Sequence, residues 1–191
     1  MFLKNKIIAI FIFISILSCQ PVEIIKPFEV DISKLEKISI NAKEILLKVS
    51  YNSIFSEENI EELTKFSPLD LIVDWNNKNI NNFGNENKFL INIIDASITK
   101  KEIENIDAKK YEEKTIFLYE IFYLVEYELY DSSDFLISTV TVESSRSTTS
   151  QKYISLNETE IIINNLILNS LNDFIAETKT LLKMYMGEYI Q

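Results

Sequence analysis

Few residues in this chain could carry reactive chemistry, and their types narrow the choice. Among 191 residues there are one cysteine, Cys19, and no histidine. The absence of histidine excludes a Ser-His-Asp triad, a histidine general base and the usual zinc ligands, and leaves nothing to activate the Cys19 thiol. No second cysteine can form a disulfide, and no glycine-rich phosphate-binding motif is present. We therefore expect no enzyme activity, cofactor or metal, and Cys19 is best explained as an attachment point.

Carboxylates are the remaining groups that could act chemically. A cluster of glutamates falls within residues 57–62, but it lacks the alternating oxygen ligands and the glycine turn of an EF-hand loop. A solvated acidic surface is favoured over a calcium site there. Two carboxylates distant in sequence could still face each other across a cleft and hydrolyse a substrate, so a carboxylate-based hydrolase stays open as an alternative. The clustered glutamates are Glu57, Glu58, Glu61 and Glu62.

Aromatic and aliphatic residues form a second group of candidates. Tyr119, Tyr123 and Tyr127 are spaced by multiples of two, which places them on one face of a strand. This pattern favours a core face beneath a helix; the alternative is a hydrophobic groove for an acyl chain or a partner peptide. Phe122 and Leu124 lie on the opposite face, and their apolar character supports a covered or contacting surface there.

Arg146 is the single arginine of the chain and lies in the hydroxyl-rich stretch ESSRSTTS. A surface position, or a salt bridge to a glutamate such as Glu143 or Glu158, is the favoured explanation. Binding of a carboxylate or phosphate group by the guanidinium is the alternative, because its planar fork suits both anions.

The N-terminal residues are typical of an export signal. Lys4 and Lys6 precede the uncharged apolar run 7–17, and the small residue Ser18 precedes Cys19. The apolar run is shorter than the roughly 20 residues that a transmembrane helix needs, so a cleaved signal is favoured.

The negative formal charge of −10 argues against nucleic acid as a partner.

The segment Ile16-Leu17-Ser18-Cys19 resembles the lipobox of bacterial lipoproteins. The resemblance implies a lipid on the Cys19 thiol, cleavage before Cys19 and acylation of the new amino terminus, which would attach the protein to a membrane. It divides the chain into a signal peptide (1–18), a lipidated tether (19–36) and a single domain (37–191). The residue after the cysteine is Gln20 rather than aspartate. In this respect the chain is similar to lipoproteins of the outer membrane. The resemblance implies that the protein lies on the inner leaflet of the outer membrane and faces the periplasm.

Alternating apolar residues and capping signals predict the elements of the domain. We expect an α+β fold in the order β-α-β-β-β-α, with a mostly antiparallel four-strand sheet and two helices on one face. In the second strand, Phe89, Ile91 and Ile93 are expected on one face, opposite Leu90 and Ala96. The predicted elements are a strand in 37–51 with a bulge near Asn41, a helix from Ser67-Pro68, strands in 88–103, 114–130 and 135–147, a turn at 131–134, and a long helix from a Ser155–Glu158 capping box to about Gly187.

From Lys88 onward the sequence resembles a family of uncharacterised lipoproteins of alphaproteobacteria. The matching motifs are Asp95-Ala96-Ser97, Ser145-Arg146-Ser147, Leu156-Asn157-Glu158 and Leu171-Asn172. The element order is also similar to the lipoprotein partner of the outer-membrane lipopolysaccharide translocon and to accessory lipoproteins of lipid-transporting ABC systems. The lipobox-like anchor, the missing catalytic residues and the compact α+β pattern favour a non-catalytic module that binds an envelope protein or a lipid-transport or assembly component. A purely structural lipoprotein and a carboxylate-based envelope hydrolase are the alternatives.

Overall fold

A four-stranded sheet forms the centre of the protein, which a computed structural model describes over residues 31–53 and 56–191. The sheet order is β2-β4-β5-β6; β2 runs parallel to β4, and the other two pairings are antiparallel. Its fully buried face comes mainly from β4 and β5, where apolar side chains recur at every second position. The elements are β1 (Ile38–Ile40), β2 (Glu44–Val49), α1 (Pro68–Asn79), β3 (Ile80–Asn82), β4 (Lys88–Glu104), β5 (Thr115–Tyr130), β6 (Leu136–Gln151) and α2 (Leu156–Met186), with short 3₁₀ turns at Ile32–Lys34, Glu61–Leu63 and Gly187–Tyr189.

The hairpin between β5 and β6 forms at the predicted place. The Asp131 carboxylate accepts hydrogen bonds from the backbone N–H groups of Ser133 and Phe135, and Asp134 has a φ of 61°. Aspartate tolerates this left-handed conformation because its short side chain bonds to nearby backbone groups. The predicted turn at 131–134 and the antiparallel pairing are therefore confirmed.

The strand predicted over 37–51 is divided in two. Instead of a bulge near Asn41, the chain leaves one sheet and enters another, because β1 pairs in parallel with β3 while β2 pairs in parallel with β4. Gly84 lies against the connection, and its backbone N–H donates to the carbonyl oxygen of Ala42. The alternation of apolar residues correctly predicted a strand in each half. It could not show that the two halves pair with different strands.

A bulge in β4 corrects a second prediction. The pairing with β5 shifts register between Ile93 and Asp95, and the Asp95 carboxylate accepts a hydrogen bond from the backbone N–H of Ser97. Because a bulge adds one residue, every later side chain changes face. Ala96 and Ile98 are consequently fully buried on the core face, so the prediction that Ala96 shares a face with Leu90 was wrong.

Both long helices pack on the buried face of the sheet. The Phe174 ring in α2 contacts Trp75 of α1 edge-on at 6.0 Å and Tyr123 of β5 at 5.4 Å between ring centroids. The Tyr127 hydroxyl of β5 donates to the Asn76 side-chain oxygen of α1. These contacts place the two helices and β5 in one core, which confirms the predicted α+β class with both helices on one face.

The local signals at the helix starts are also confirmed. The Ser67 hydroxyl accepts from the Asp70 N–H, and Pro68 occupies the first turn of α1. At the start of α2, Ser155 and Glu158 form a reciprocal capping box. Within residues 31–53 and 56–191, neither helix combines the length and the apolar character needed to cross a membrane.

Residues 32–36, the end of the predicted tether, pack on the domain. Ile32 is buried, the Trp75 indole N–H donates to the Glu36 carbonyl oxygen, and the Asn79 amide donates to the carbonyl oxygen of Leu35. Residues 32–36 therefore pack together with α1. The predicted signal peptide and the lipidation residue Cys19 lie outside the described residues.

Candidate functional site

The three tyrosines of β5 have different surroundings. Tyr123 and Tyr127 have no exposed surface, and burial raises the pKa of both phenols. Tyr119 is also buried, but it lines an open cleft at the end of the sheet where β5 begins. The stripe therefore forms core at Tyr123 and Tyr127, whereas Tyr119 also lines an open space that could receive another molecule.

Phe122 and Leu124 lie on the opposite face of β5 and are half-buried. The neighbours of Phe122 on the adjacent strands are Ser97 and Ser145, and those of Leu124 are Asp95 and Glu143. The two helices pack on the other face of the sheet, so neither covers these two side chains. This arrangement gives both side chains polar neighbours on the adjacent strands.

Arg146 joins two elements of the fold. Its guanidinium lies 2.5 Å from the Asp173 carboxylate of α2, and both side chains are partly exposed. The two glutamates predicted as partners of Arg146 were wrong. Glu143 is three residues away along β6, so its side chain lies on the opposite face of the strand. The Glu158 side chain is held in the capping box of α2. A polar cavity of about 230 Å³ lies beside Arg146, lined also by Asn165 and Asn169. The pairing with Asp173 engages one nitrogen of the guanidinium and partly neutralises the charge that anion binding would use.

The glutamates of the predicted acidic surface lie between β2 and α1 in the chain, and two of them make individual contacts with other side chains. Glu58 pairs with Lys101 at 3.6 Å, and Glu61 accepts a hydrogen bond from the Tyr51 hydroxyl. Burial, together with this hydrogen bond and the charge of Glu61, raises the pKa of Tyr51. Across the described ranges 31–53 and 56–191, no group of three or more cysteine, aspartate or glutamate side chains is arranged to hold a metal ion.

A concave feature of the described residues is the cleft beside Tyr119, with a volume of about 550 Å³. Its floor is formed by neighbouring residues of β4 and β5, Lys100 and Tyr119, which are paired across the sheet. One wall is the segment 60–65, and the other is the first two turns of α2. The wall residues are Ile60, Leu63, Thr64, Lys65, Leu156, Thr159, Glu160, Ile163 and Asn164.

The α2 wall follows directly from helix geometry. Positions 156, 159, 160, 163 and 164 are separated by three or four residues, so they lie on one face of the helix. Leu156 is 90% exposed and Leu63, on the opposite wall, is 82% exposed. Two large apolar side chains thus stand in solvent among the residues that line the cleft.

Asn164 is the most unusual residue of the cleft. The side chain is 94% buried in this wall, being 6% exposed, yet its Oδ1 atom has no hydrogen-bond partner among the described residues. A buried polar atom without a partner costs about 1–3 kcal/mol. Asn164 lines the cleft while its Oδ1 is buried beside it, so a rotation of the side chain would let a molecule bound in the cleft supply the missing hydrogen bond.

Lys100 provides a charge in the same cleft. Its ammonium lies 3.8 Å from the centre of the Phe117 ring and 6.0 Å from that of Tyr119. The neighbouring Lys152 is paired with Glu102 at 2.7 Å, whereas Lys100 has no carboxylate partner within the described part of the chain. Lys100 is therefore a half-buried cation that is stabilised by aromatic faces rather than by an ion pair.

Sequence reasoning missed Lys100 and Asn164, although both left a signal. Lys100 follows Ala96 and Ile98 at period two, so a lysine occupies the next core-facing position of β4. The bulge hid this pattern, because Ala96 had been assigned to the other face. Asn164 interrupts the apolar side of α2 between Ile163 and Leu166. A buried amide at such a position is a signal, because its burial is costly unless it forms hydrogen bonds.

Comparisons with known proteins found no family and a weak structural likeness. No protein-family model matches the chain, and no curated protein matches it by sequence. Among solved structures, a minor lipoprotein from Acinetobacter baumannii is similar over 74% of this chain and 92% of that chain, with 11% sequence identity and a TM-score of 0.39. A likeness this weak says nothing about the function of this protein.

Proposed function

We propose that this protein is a lipid-anchored module, placed on the inner leaflet of the outer membrane, that binds an envelope component without catalysis. Two independent features support the proposal. The lipobox-like sequence around Cys19 supplies an anchor, and the 550 Å³ cleft supplies a binding site. The single observation that carries the binding role is that Asn164, a residue of the cleft lining, has a buried Oδ1 with no hydrogen-bond partner among the described residues.

The cleft distinguishes the proposal from its two alternatives. A two-carboxylate hydrolase needs a pair of acids facing one another, about 5–10 Å apart. Glu160 is the single carboxylate among the described residues that line this cleft. A purely structural lipoprotein would have no need of a concave site with exposed leucines at positions 63 and 156. Binding therefore accounts for more of the observed features than either alternative.

The anchor is tested by replacing the acylated residue. We expect the unchanged protein to fractionate with outer membranes and to incorporate labelled palmitate, and Cys19→Ala to lose both properties. Ser18→Ala, which keeps a small residue before the cysteine, is the matched control and should behave as the unchanged protein. A Cys19→Ala protein that still incorporated palmitate would contradict the anchor.

The binding site is tested by placing a photo-crosslinking amino acid at the cleft. We expect Leu63 and Leu156 positions to crosslink a defined lipid or envelope protein in living cells, because both side chains are exposed in the lining. Met184, which is 64% exposed near the other end of α2, is the matched control position. The same crosslinked products from position 184, or none from positions 63 and 156, would contradict the proposal.

A further inference from the structure

We propose that the cleft holds a single acyl chain that ends in an anionic oxygen head group, a carboxylate or a phosphate. The inference rests on the proposed function, because it names the chemistry of the molecule that occupies the same cleft. Three properties of the described lining support it: the volume, the charge and the unpaired amide oxygen of Asn164.

The volume and the composition of the walls favour one apolar chain. A space of about 550 Å³ lies within the roughly 300–1,000 Å³ of small-molecule sites. Ile60, Leu63 and Ile163 contribute apolar walls, and Tyr119 contributes its ring. An extended peptide would bring an N–H and a C=O group to the cleft at every residue, and the groups that face the apolar walls would lose their water without gaining a partner. An acyl chain carries polar atoms at one end only.

The charges of the lining favour an anionic head. Lys65 and Lys100 face the cleft and Glu160 is the one acid, so the lining is positive in a chain whose formal net charge is −10. The Lys100 ammonium rests against Phe117 without an ion pair among the described residues. A carboxylate or phosphate oxygen would complete its environment with a charge-assisted hydrogen bond.

Asn164 supplies a neutral hydrogen-bonding group for the same head. Its Oδ1 has no hydrogen-bond partner among the described residues. A rotation of the terminal amide by half a turn exchanges the positions of the oxygen and the NH₂ group. In one orientation the side chain accepts from a protonated or hydroxyl-bearing head group, and in the other it donates to an anionic oxygen. A cation and an adaptable amide in one lining resemble the small number of placed polar groups that orient ligands in apolar sites.

The test measures equilibrium binding to the full-length protein, purified from membranes and exchanged into amphipol to remove detergent. Four probes separate the two parts of the ligand: palmitate, lysophosphatidic acid, uncharged monopalmitoylglycerol and inorganic phosphate. We expect both anionic amphiphiles to bind at one site per chain, about tenfold or more tighter than monopalmitoylglycerol. Inorganic phosphate alone should not bind, because it lacks the apolar chain.

Two substitutions assign the head group to its residues. Lys100→Met removes the charge but keeps the apolar stem; it should weaken both anionic probes about tenfold or more and leave monopalmitoylglycerol unchanged. Asn164→Leu should weaken all three chain-bearing probes. Lys101→Met, on the opposite face of the same strand, is the matched control and should bind as the unchanged protein. Circular dichroism and the melting temperature verify that each variant is folded, and Lys100→Met decides the question if Asn164→Leu does not fold.

The outcomes separate this inference from the proposed function. Equal binding of monopalmitoylglycerol and palmitate, or a Lys100→Met protein with unchanged affinity for palmitate, would overturn the anionic head group. Binding of inorganic phosphate as tightly as lysophosphatidic acid would overturn the acyl chain. If no amphiphile binds while positions 63 and 156 still crosslink an envelope protein, the inference fails and the proposed function stands; if crosslinking also fails, both are wrong.

Discussion

The guanidinium of Arg146 in β6 lies 2.5 Å from the carboxylate of Asp173 in α2. The single arginine of the chain thus connects an edge strand of the sheet to the middle of the C-terminal helix. Both side chains are between 40% and 50% exposed, so water and salt screen the pair. The contact fits a structural role and offers a simple test against an anion-binding role.

Replacing Arg146 should have a small effect on stability and none on ligand binding. We expect Arg146→Ala and Asp173→Ala each to lower the free energy of unfolding by about 1 kcal/mol or less, because exposed ion pairs contribute little. A double-mutant cycle by urea denaturation should give a coupling of about 0.2–1 kcal/mol that declines in high salt. Palmitate binding that depends on Arg146 but not on Asp173 would show that the guanidinium binds the ligand instead.

The two glycines of the chain make a matched pair of tests. A Cβ atom at Gly84 would collide with the Asn41 side-chain oxygen and would lie 2.7 Å from the Ala42 backbone nitrogen. Because the backbone cannot move aside cheaply, Gly84→Ala should lower the free energy of unfolding by about 1–3 kcal/mol. At Gly187 a Cβ atom would meet nothing within 4 Å, so Gly187→Ala should be within about 0.5 kcal/mol of the unchanged protein. Thermal denaturation compares the two variants, and equal melting temperatures would contradict the close packing at Gly84.

The capping box should make part of the stability depend on pH. Hydrogen bonds from the Ser155 backbone N–H and then from its hydroxyl hold the pKa of Glu158 below its ordinary value of 4.5. A lowered folded-state pKa contributes stability that is fully present above the unfolded-state value and is lost as the pH falls through the folded-state value. In Glu158→Gln, which keeps the capping bond but cannot titrate, stability should therefore fall less between pH 6 and pH 3.

Urea denaturation across this pH range measures the difference for Glu158→Gln. Glu177→Gln removes an exposed carboxylate from the same helix outside the capping box, and it is the matched control. An identical decline for Glu158→Gln and the unchanged protein would show that the carboxylate is not stabilised by the box.

Phe174 should be the most sensitive position of α2. Its ring contacts both Trp75 and Tyr123, so it joins the two helices and the sheet in one core. Phe174→Ala should lower the free energy of unfolding by about 3–5 kcal/mol, since it leaves a cavity in the core. Tyr185→Ala, at a position that is 62% exposed, should change it by about 0.5 kcal/mol or less. Chemical denaturation followed by circular dichroism measures both, and a similar loss in both variants would contradict the central place of Phe174.

Local signals in the sequence predicted much of this fold correctly. Ser67-Pro68, the Ser155–Glu158 pair and the Asp131–Asp134 turn each act within about four residues, where side chains bond to nearby backbone groups. Alternation along β5 identified its buried face for the same reason, because the period of a strand is set by its own backbone.

Long-range pairings decided the rest. The sequence could not show that residues 37–51 divide between two sheets, since both halves have the alternation of a strand. Nor could it place the bulge at Asp95, where one added residue moved Ala96 and Lys100 to the core side. The partner of Arg146 depended in the same way on how α2 lies along β6.

By itself, then, the sequence determined the inventory of this protein: no histidine, one cysteine in a lipobox-like segment, and the elements of an α+β domain. These properties depend on residue types and on spacings within single elements. Only the tertiary structure brought Lys100 of β4, Tyr119 of β5 and Asn164 of α2 into one cleft and left the amide oxygen of Asn164 unpartnered. A site of this kind is made by contacts between distant segments, and its position depends on register and helix docking, which no local pattern encodes.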